Sequence, residues 1–228
     1  MPNENEKQAA AKQAVKLVKD GMVVGLGSGS TSKVFIEELL KRVKDEHLNI
    51  RCIATSNFSK ELAAGHIPFI DEALNTQIDI TFDGADRIDL EKFHLIKGGG
   101  GALLREKLVA KNSIQNVVLV DHSKISTPLF GFPLPVEIVK FGYKSTVKRI
   151  EALGFRGEVR HSNDTFFVTD NGNYTFDIHL EQPIKHAEKL ENDLKLILGV
   201  VEVGLFLDTA TKVIIAYPDG TTAIKERS

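Results

Sequence analysis

Met22-Val23-Val24-Gly25-Leu26-Gly27-Ser28-Gly29-Ser30-Thr31 is the stretch on which the fold class turns. A short apolar strand runs straight into a glycine-rich turn. Residues 31–44 then place Val34, Phe35, Glu38 and Leu39 so that a helix gains one buried face. Strand, glycine turn and helix in that order open a βα unit. Upstream, residues 6–19 carry Ala10, Ala14, Leu17 and Val18 at three- and four-residue spacings, which predicts an amphipathic helix. Downstream, 50–54, 67–70, 78–82 and 116–120 are short β-type runs, with a helix expected over 59–64. Strands alternating with helices predict an α/β protein with a Rossmann-like parallel sheet layered by helices.

The pattern changes at Pro128. Pro128-Leu129-Phe130-Gly131-Phe132-Pro133-Leu134-Pro135 cannot lie inside a helix, because proline removes amide donors and restricts the residue before it. Beyond it the expected order is strand (136–140), helix (144–153), strand (155–160), and a hairpin joining 165–169 to 174–179 across Asp170-Asn171-Gly172-Asn173. A helix over 184–198 capped by Gly199 and strands at 200–207 and 213–217 complete the chain. Residues 128–205 thus read as a small ferredoxin-like α+β domain. Residues 1–127 plus 206–228 read as the Rossmann-like domain, with the tail returning to the first sheet.

Composition narrows the function classes. The chain has 228 residues, 42% hydrophobic and 26% charged, with a net charge of -2. No basic field is available to hold nucleic acid or an anionic membrane. Cys52 is the sole cysteine, so no internal disulfide can form and a reducing compartment is expected. Residues 1–7 are polar, without an apolar signal-type segment, and the run 200–207 is too short to span a bilayer. A cytoplasmic protein is expected.

Four clusters stand at the ends of expected strands, where open α/β sheets bind ligands. In Gly25–Thr31, amides at a helix start join the hydroxyls of Ser28, Ser30 and Thr31 in a potential phosphate cradle. Ser30 replaces the third glycine of a dinucleotide fingerprint, no acidic residue ends the next strand, and the Gly-Lys-Ser/Thr of a Walker loop is missing. NAD and ATP are therefore disfavoured. Asp83-Gly84-Ala85-Asp86 sets two carboxylates around a glycine turn. They can hold a metal, shuttle protons between sugar hydroxyls, or form Asx turns. With the histidines scattered, no metal is assigned.

Lys97-Gly98-Gly99-Gly100-Gly101 is entropically costly, and close approach of backbone to ligand explains four successive glycines better than chance does. Leu104 and Leu108 are expected to anchor the helix that follows. Glu106 would then sit one turn inside it and lean back over the glycines. In Asp121-His122-Ser123-Lys124, Lys124 can meet a phosphate as a point charge, whereas the adjacent Asp, His and Ser cannot form a catalytic triad. Cys52, mid-strand, is expected to be inert core.

Taken in order, Gly-x-Gly-Ser-Gly-Ser-Thr, Asp-Gly-Ala-Asp, Lys-Gly-Gly-Gly-Gly-Ala and Arg-Glu-Lys resemble the type A ribose-5-phosphate isomerases. So do Phe132–Glu137, Thr169–Asn173, Gly199–Phe206 and Pro218-Asp219-Gly220, which extends the resemblance over essentially the whole chain. It implies interconversion of D-ribose 5-phosphate and D-ribulose 5-phosphate in the pentose phosphate pathway, without cofactor or metal, in a homodimer or homotetramer. Glu106 matches the general base that moves a proton between C2 and C1 through an enediolate. Asp83 and Asp86 match carboxylates of ring opening and hydroxyl proton transfer, and Lys97 matches the lysine that stabilises the intermediate's charge. Ser28, Gly29, Ser30, Thr31, Gly84, Ala85, Gly98, Gly99, Gly100, Lys124 and Lys7 match substrate contacts. Two departures stand out: Arg87 where the family usually has an acidic residue, and Thr55-Ser56-Asn57-Phe58-Ser59 in place of Thr-Ser-x-Gln-Thr.

The chemistry agrees with the resemblance. Removing a carbon-bound proton beside a carbonyl requires a base, worth about 10²–10⁴-fold, and an oxyanion donor, worth about 10²–10³-fold. Two other classes compete: a non-catalytic sugar-phosphate sensor like the ligand domain of some bacterial repressors, and a coenzyme A transferase of related fold with a glutamate nucleophile. The sensor would need neither Glu106 nor Lys97. The transferase would form an acyl intermediate that hydroxylamine traps.

Overall fold

The structure, a computed structural model, describes residues 4–227. Along the chain the elements run α1 (Glu4–Val15), β1 (Val23–Leu26), α2 (Gly29–Glu46), β2 (Arg51–Ala54), α3 (Asn57–Ala63), β3 (Ile78–Gly84), β4 (Arg87–Asp89), β5 (His94–Ile96), α4 (Leu103–Lys111) and β6 (Ser113–Asp121). A 3₁₀ turn, His122–Lys124, leads to β7 (Leu134–Ile138), α5 (Tyr143–Ala152), β8 (Arg156–Val159), β9 (His161–Ser162), β10 (Thr165–Phe166) and β11 (Tyr174–His179). The chain finishes with α6 (Ala187–Lys195), β12 (Val200–Val203), β13 (Leu205–Phe206), β14 (Lys212–Ala216) and β15 (Thr222–Glu226).

Two compact units divide these elements. Within the described residues, the first takes the chain up to Ala85, then Arg105–Ile125, then everything from Asp208 onward. Its sheet has the order β15-β14-β6-β3-β1-β2, parallel except for β15. All four residues of β1 are buried, as a strand covered on both faces requires. Phe35 of α2 stacks on Phe82 of β3 with ring centroids 4.3 Å apart, and Val24, Leu26, Leu39 and Leu119 fill the core around them. Ala10, Ala11 and Ala14 line the buried face of α1, which also carries Glu6 and Val15. Because β1, β2, β3 and β6 run parallel, residues 27–31, 55–59, 83–84 and 121–124 all follow or end strands at one edge of the sheet.

The expected strand 67–70 is reduced to a bridge between Phe69 and Cys52, flanked by Cys52 N–H to Pro68 O and Ile70 N–H to Cys52 O, both 2.8 Å. The tail does return to the first sheet: β14 lies parallel beside β6, and β15, which no sequence signal marked, pairs antiparallel with β14.

The second unit comprises Asp86–Leu104 and Ser126–Leu207. The order β7-α5-β8-β11-α6-β12 folds into an antiparallel sheet β12-β7-β11-β8, the ferredoxin-like arrangement. Leu134, Val136, Ile138, Ile150, Phe176, Ile178, Leu194 and Val203 form its core. Residues 86–104 join this unit through a small antiparallel sheet in which β5 lies between β4 and β13, with Leu205 opposite Ile96. A pairing across more than a hundred residues leaves no local trace in the sequence.

The hairpin expectation needs correction. The turn exists, with Gly172 at φ +80°, Gly172 N–H to Thr169 O and Thr169 N–H to Asn173 O, both 2.9 Å. Its flanks, however, do not pair. β10 folds back on β9, and β11 is a central strand between β7 and β8, with Phe176 opposite both Val136 and Val159. Glu137 explains the difference. This fully buried carboxylate accepts through Oε1 from Thr169 Oγ1 at 2.9 Å, Asn171 Nδ2 at 3.2 Å and Asn173 Nδ2 at 2.9 Å, so the turn closes on β7 rather than on its own flank. Gly199, expected as a helix cap, lies beyond α6, which ends at Lys195.

Replacing Glu137 by Ala removes the common acceptor of these side chains and is expected to cost about 3 kcal/mol. Urea denaturation at unchanged slope measures it. A loss below about 1 kcal/mol would mean that the turn closes without this carboxylate.

Candidate active site

In the first unit the turn after β1 is built around Asp83, near the end of β3. Asp83 Oδ1 accepts from Ser28 N at 3.0 Å, Ser32 Oγ at 3.1 Å and Gly84 N at 2.8 Å. This approach requires Gly27, since a Cβ there would stand 2.2 Å from the same oxygen. Ser28 is the N-cap of α2, and its Oγ lies 2.7 Å from Thr55 Oγ1. Ser59 Oγ donates to Gly27 O at 2.6 Å. Gly29, Ser30 and Thr31 form the first turn of α2, where backbone amides lack helical acceptors; Gly29 and Ser30 are exposed. The expected helix start is therefore present, with its first amides open. Gly84 sits against Thr31, its absent Cβ position 3.6 Å from Thr31 Cβ.

The segment 55–59 braces this turn, and of its two departures from the family pattern Ser59 takes part while Phe58 is exposed. Thr55 and Ser59 brace it as just described, Ser56 caps α3 by accepting from Ser59 N at 3.1 Å, and Asn57 Oδ1 accepts from Arg105 at 3.1 Å. The sequence marks Asn57 and Ser59 only as part of a segment that departs from the family pattern and does not mark Ser32 at all, because a lone hydroxyl or amide carries no spacing signal.

Glu106 lies in the first turn of α4 and is 5% exposed, not a solvated surface carboxylate. The expected anchors of this helix need correction. Leu108 is 48% exposed and Leu104 only partly buried, whereas Leu103, Glu106, Lys107 and Ala110 are buried. Those four share one face at i, i+3, i+4 and i+7. Two charged residues on the inward face, Glu106 and Lys107, invert the apolar periodicity of this helix.

Asp86, Lys97 and Gly98–Gly100 belong to the second unit. Lys97 is 5% exposed, its Nζ 5.4 Å from the ring centre of Phe206. The glycines turn tightly, with Gly101 N–H to Gly98 O at 2.9 Å. Gly99 N donates to Asp86 Oδ2 at 2.8 Å. A Cβ at Gly99 would press on Asp86 Oδ1 at 2.7 Å, and one at Gly101 would stand 2.2 Å from the Phe167 ring. Gly100 differs: its φ is not left-handed, and no atom lies within 4 Å of its Cβ position. Arg87 spends its guanidinium on the carbonyls of Phe130 at 3.0 Å and Gly131 at 2.6 Å, and on the backbone carbonyl of Asp86 at 2.8 Å.

Lys124 ends the 3₁₀ turn, whose N-cap Asp121 accepts from Ser123 N at 3.0 Å, so Asp121-His122-Ser123 is a capping turn. His122 Nδ1 lies 3.4 Å from the buried Glu6, which brings the start of α1, and Lys7 with it, to the turn that carries Lys124. Glu6, Asp121 and His122 form the one group among the described residues whose ligand atoms converge closely enough for a metal ion, within 4.8 Å of one another. Cys52 is fully buried, and burial pushes its thiol up to about 12, so it carries no thiolate at neutral pH.

Open amides at the start of α2, a buried glutamate in the first turn of α4 and, in the second unit, a glycine loop with one open position point to the class of α/β enzymes that act on small phosphorylated molecules. Comparison with known proteins narrows that class. Residues 51–220 match the family model described as ribose 5-phosphate isomerase A (phosphoriboisomerase A). The ribose-5-phosphate isomerase A of Thermoplasma volcanium is 45% identical over 96% of this chain and 92% of its own, and that of Chlamydia muridarum 44% over the same shares. The solved ribose 5-phosphate isomerase A of Methanocaldococcus jannaschii superposes with a TM-score of 0.92 at 39% identity, covering 99% of this chain and 100% of its own. A D-ribose-5-phosphate isomerase in complex with phospho-erythronic acid gives 0.93 at 35% identity over all of both chains. The chain belongs to the ribose 5-phosphate isomerase A family.

Two outcomes test the local geometry. Gly100→Ala is expected to leave the unfolding midpoint unchanged or slightly raised while kcat/KM falls about tenfold or more. Full activity would show that substrate does not use the space over Gly100. Cys52 is expected to resist a disulfide reagent at pH 8 until the chain is unfolded. Since its folded value lies above the ordinary 9.0, the stability it contributes is complete below about pH 9 and falls as pH rises from there towards 12. A fast native reaction at pH 8 would refute the assignment.

Proposed function

We propose that this chain interconverts D-ribose 5-phosphate and D-ribulose 5-phosphate through an enediolate, with Glu106 as the base that carries the proton between C2 and C1. The reaction is redox-neutral and needs only proton transfers. Asp83 and Asp86 serve ring opening and the hydroxyl protons, and Lys97 stabilises the negative charge of the intermediate. The cradle of Ser28, Gly29, Ser30 and Thr31 contacts the substrate, as do Lys7, Lys124, Gly84, Ala85, Gly98, Gly99 and Gly100. The observation that carries this reading is the burial of Glu106 in the first turn of the helix that follows the glycine loop. A carboxylate kept from water at such a place fits a proton-transfer group better than a surface charge. The relative solved with phospho-erythronic acid supports the same chemistry, because that phosphorylated sugar acid ends in a planar, anionic carboxylate that resembles the planar, anionic centre of an enediolate.

Catalysis is assigned to 1–127 plus 206–228, and 128–205 to the small ferredoxin-like domain. A homodimer or homotetramer is favoured by Phe141, Leu196 and Leu198 of the second unit, which are 96%, 86% and 79% exposed. A reducing cytoplasm suits the buried thiol of Cys52, and no helix among the described residues is long and apolar enough to cross a membrane.

Ribulose 5-phosphate formation, measured with excess EDTA for wild type and Glu106→Gln, tests the mechanism. Survival in EDTA and a loss of about 10²–10⁴-fold in the variant are expected. An inactive wild type that still binds the sugar phosphate would favour the sensor reading. An active Glu106→Gln would remove Glu106 from the role of base.

A further inference from the structure

Arg160 follows β8 and is held on its backbone by N–H to Thr175 O at 2.8 Å and by Phe167 N–H to its own carbonyl at 2.9 Å. Its guanidinium grips Asp177 of β11 in a two-pronged pair, Nε to Oδ2 at 2.8 Å and Nη2 to Oδ1 at 2.6 Å. Both side chains are about one-sixth exposed, so the pair is only weakly screened by water. A strand pair needs no more than this. The third nitrogen nonetheless donates elsewhere: Nη1 bonds Gly98 O and Gly99 O, each at 2.9 Å. The ring of Phe167 lies 5.7 Å from the Arg160 guanidinium carbon and occupies the position that a side chain at Gly101 would take.

Gly98 O and Gly99 N are the two ends of a single planar peptide group. Its carbonyl accepts from Arg160, and its N–H donates to Asp86 Oδ2 at 2.8 Å. An unbroken chain thus runs from the Asp177 carboxylate through the guanidinium and one peptide to the Asp86 carboxylate. A cation drawing on the carbonyl makes the N–H at the other end a stronger donor. The loop has no side chains of its own between Gly98 and Gly101, so its orientation must come from outside.

We infer that Arg160, braced by Asp177, is a positioning residue for the isomerisation: it orients the Gly98–Gly99 peptide and, through it, the carboxylate of Asp86. This rests on the reading that Asp86 and the glycine loop handle the substrate. The geometry calls for arginine in particular, because only a planar fork serves a carboxylate with two donors and a pair of carbonyls with a third.

Arg160→Lys keeps a positive charge for Asp177 and loses the fork. It is expected to lower kcat about 10²-fold, with the urea midpoint close to wild type. Because Arg160 acts through Asp86, Arg160→Lys combined with Asp86→Asn should be no slower than Asp86→Asn alone. Losses that multiply, or a fall in rate that merely tracks the unfolded fraction, would overturn the proposal. If Arg160→Lys fails to fold, the neutral pair Arg160→Gln with Asp177→Asn carries the same comparison without leaving Asp177 uncompensated. Wild-type rates in Arg160→Lys would remove Arg160 while leaving the site reading intact, whereas wild-type rates in Asp86→Asn would refute the site reading itself.

Discussion

A single buried carboxylate oxygen, Asp83 Oδ1, ties the ligand edge of the first unit together. Three donors converge on it: the N-cap amide of α2, a hydroxyl one turn further along that helix, and the amide of the next residue in its own strand. The turn after β1 can approach so closely only because Gly27 has no side chain. Strand β3 and helix α2 are thereby locked in register, and the open amides of residues 29–31 keep a fixed direction. The geometry of the cradle follows from this constraint more than from the helix start as such.

The second unit solves a related problem by other means. Its glycine loop is exposed at Gly99 and Gly100 and has no side chain with which to anchor itself. Anchors come from segments next to strands: Arg160 on the carbonyls, Asp86 on an amide, Phe167 over Gly101. Charged groups so placed are held in turn, Arg160 by Asp177, and Arg87 is committed to the carbonyls of Phe130 and Gly131. Polar side chains in this protein are spent largely on fixing backbone, which is the element both loops present.

Much of this was legible one residue at a time. The βα opening, the helix start at the cradle, the inert Cys52 and the ferredoxin-like order of elements all rest on local spacing, and the structure contains each of them. What misled was also local. Leu104 and Leu108 are apolar at the right spacing, yet α4 turns Glu106 and Lys107 inward. A turn sequence at 170–173 with β-formers on both sides suggests a hairpin, yet Glu137 draws that turn to β7 and leaves β11 to pair with two other strands.

The sequence by itself determined the alternation of strands and helices, the places where backbone had to lie bare, and the family, because glycines, caps and periodicity act over a few residues. Only the tertiary structure decided which strands became neighbours, which face of α4 turned inward, and that Arg160 reaches Gly98 and Gly99. Those outcomes depend on partners far apart along the chain, Gly98 and Arg160 or Ile96 and Leu205 among them, whose pairing is chosen by competition for buried hydrogen bonds and core volume across the whole fold.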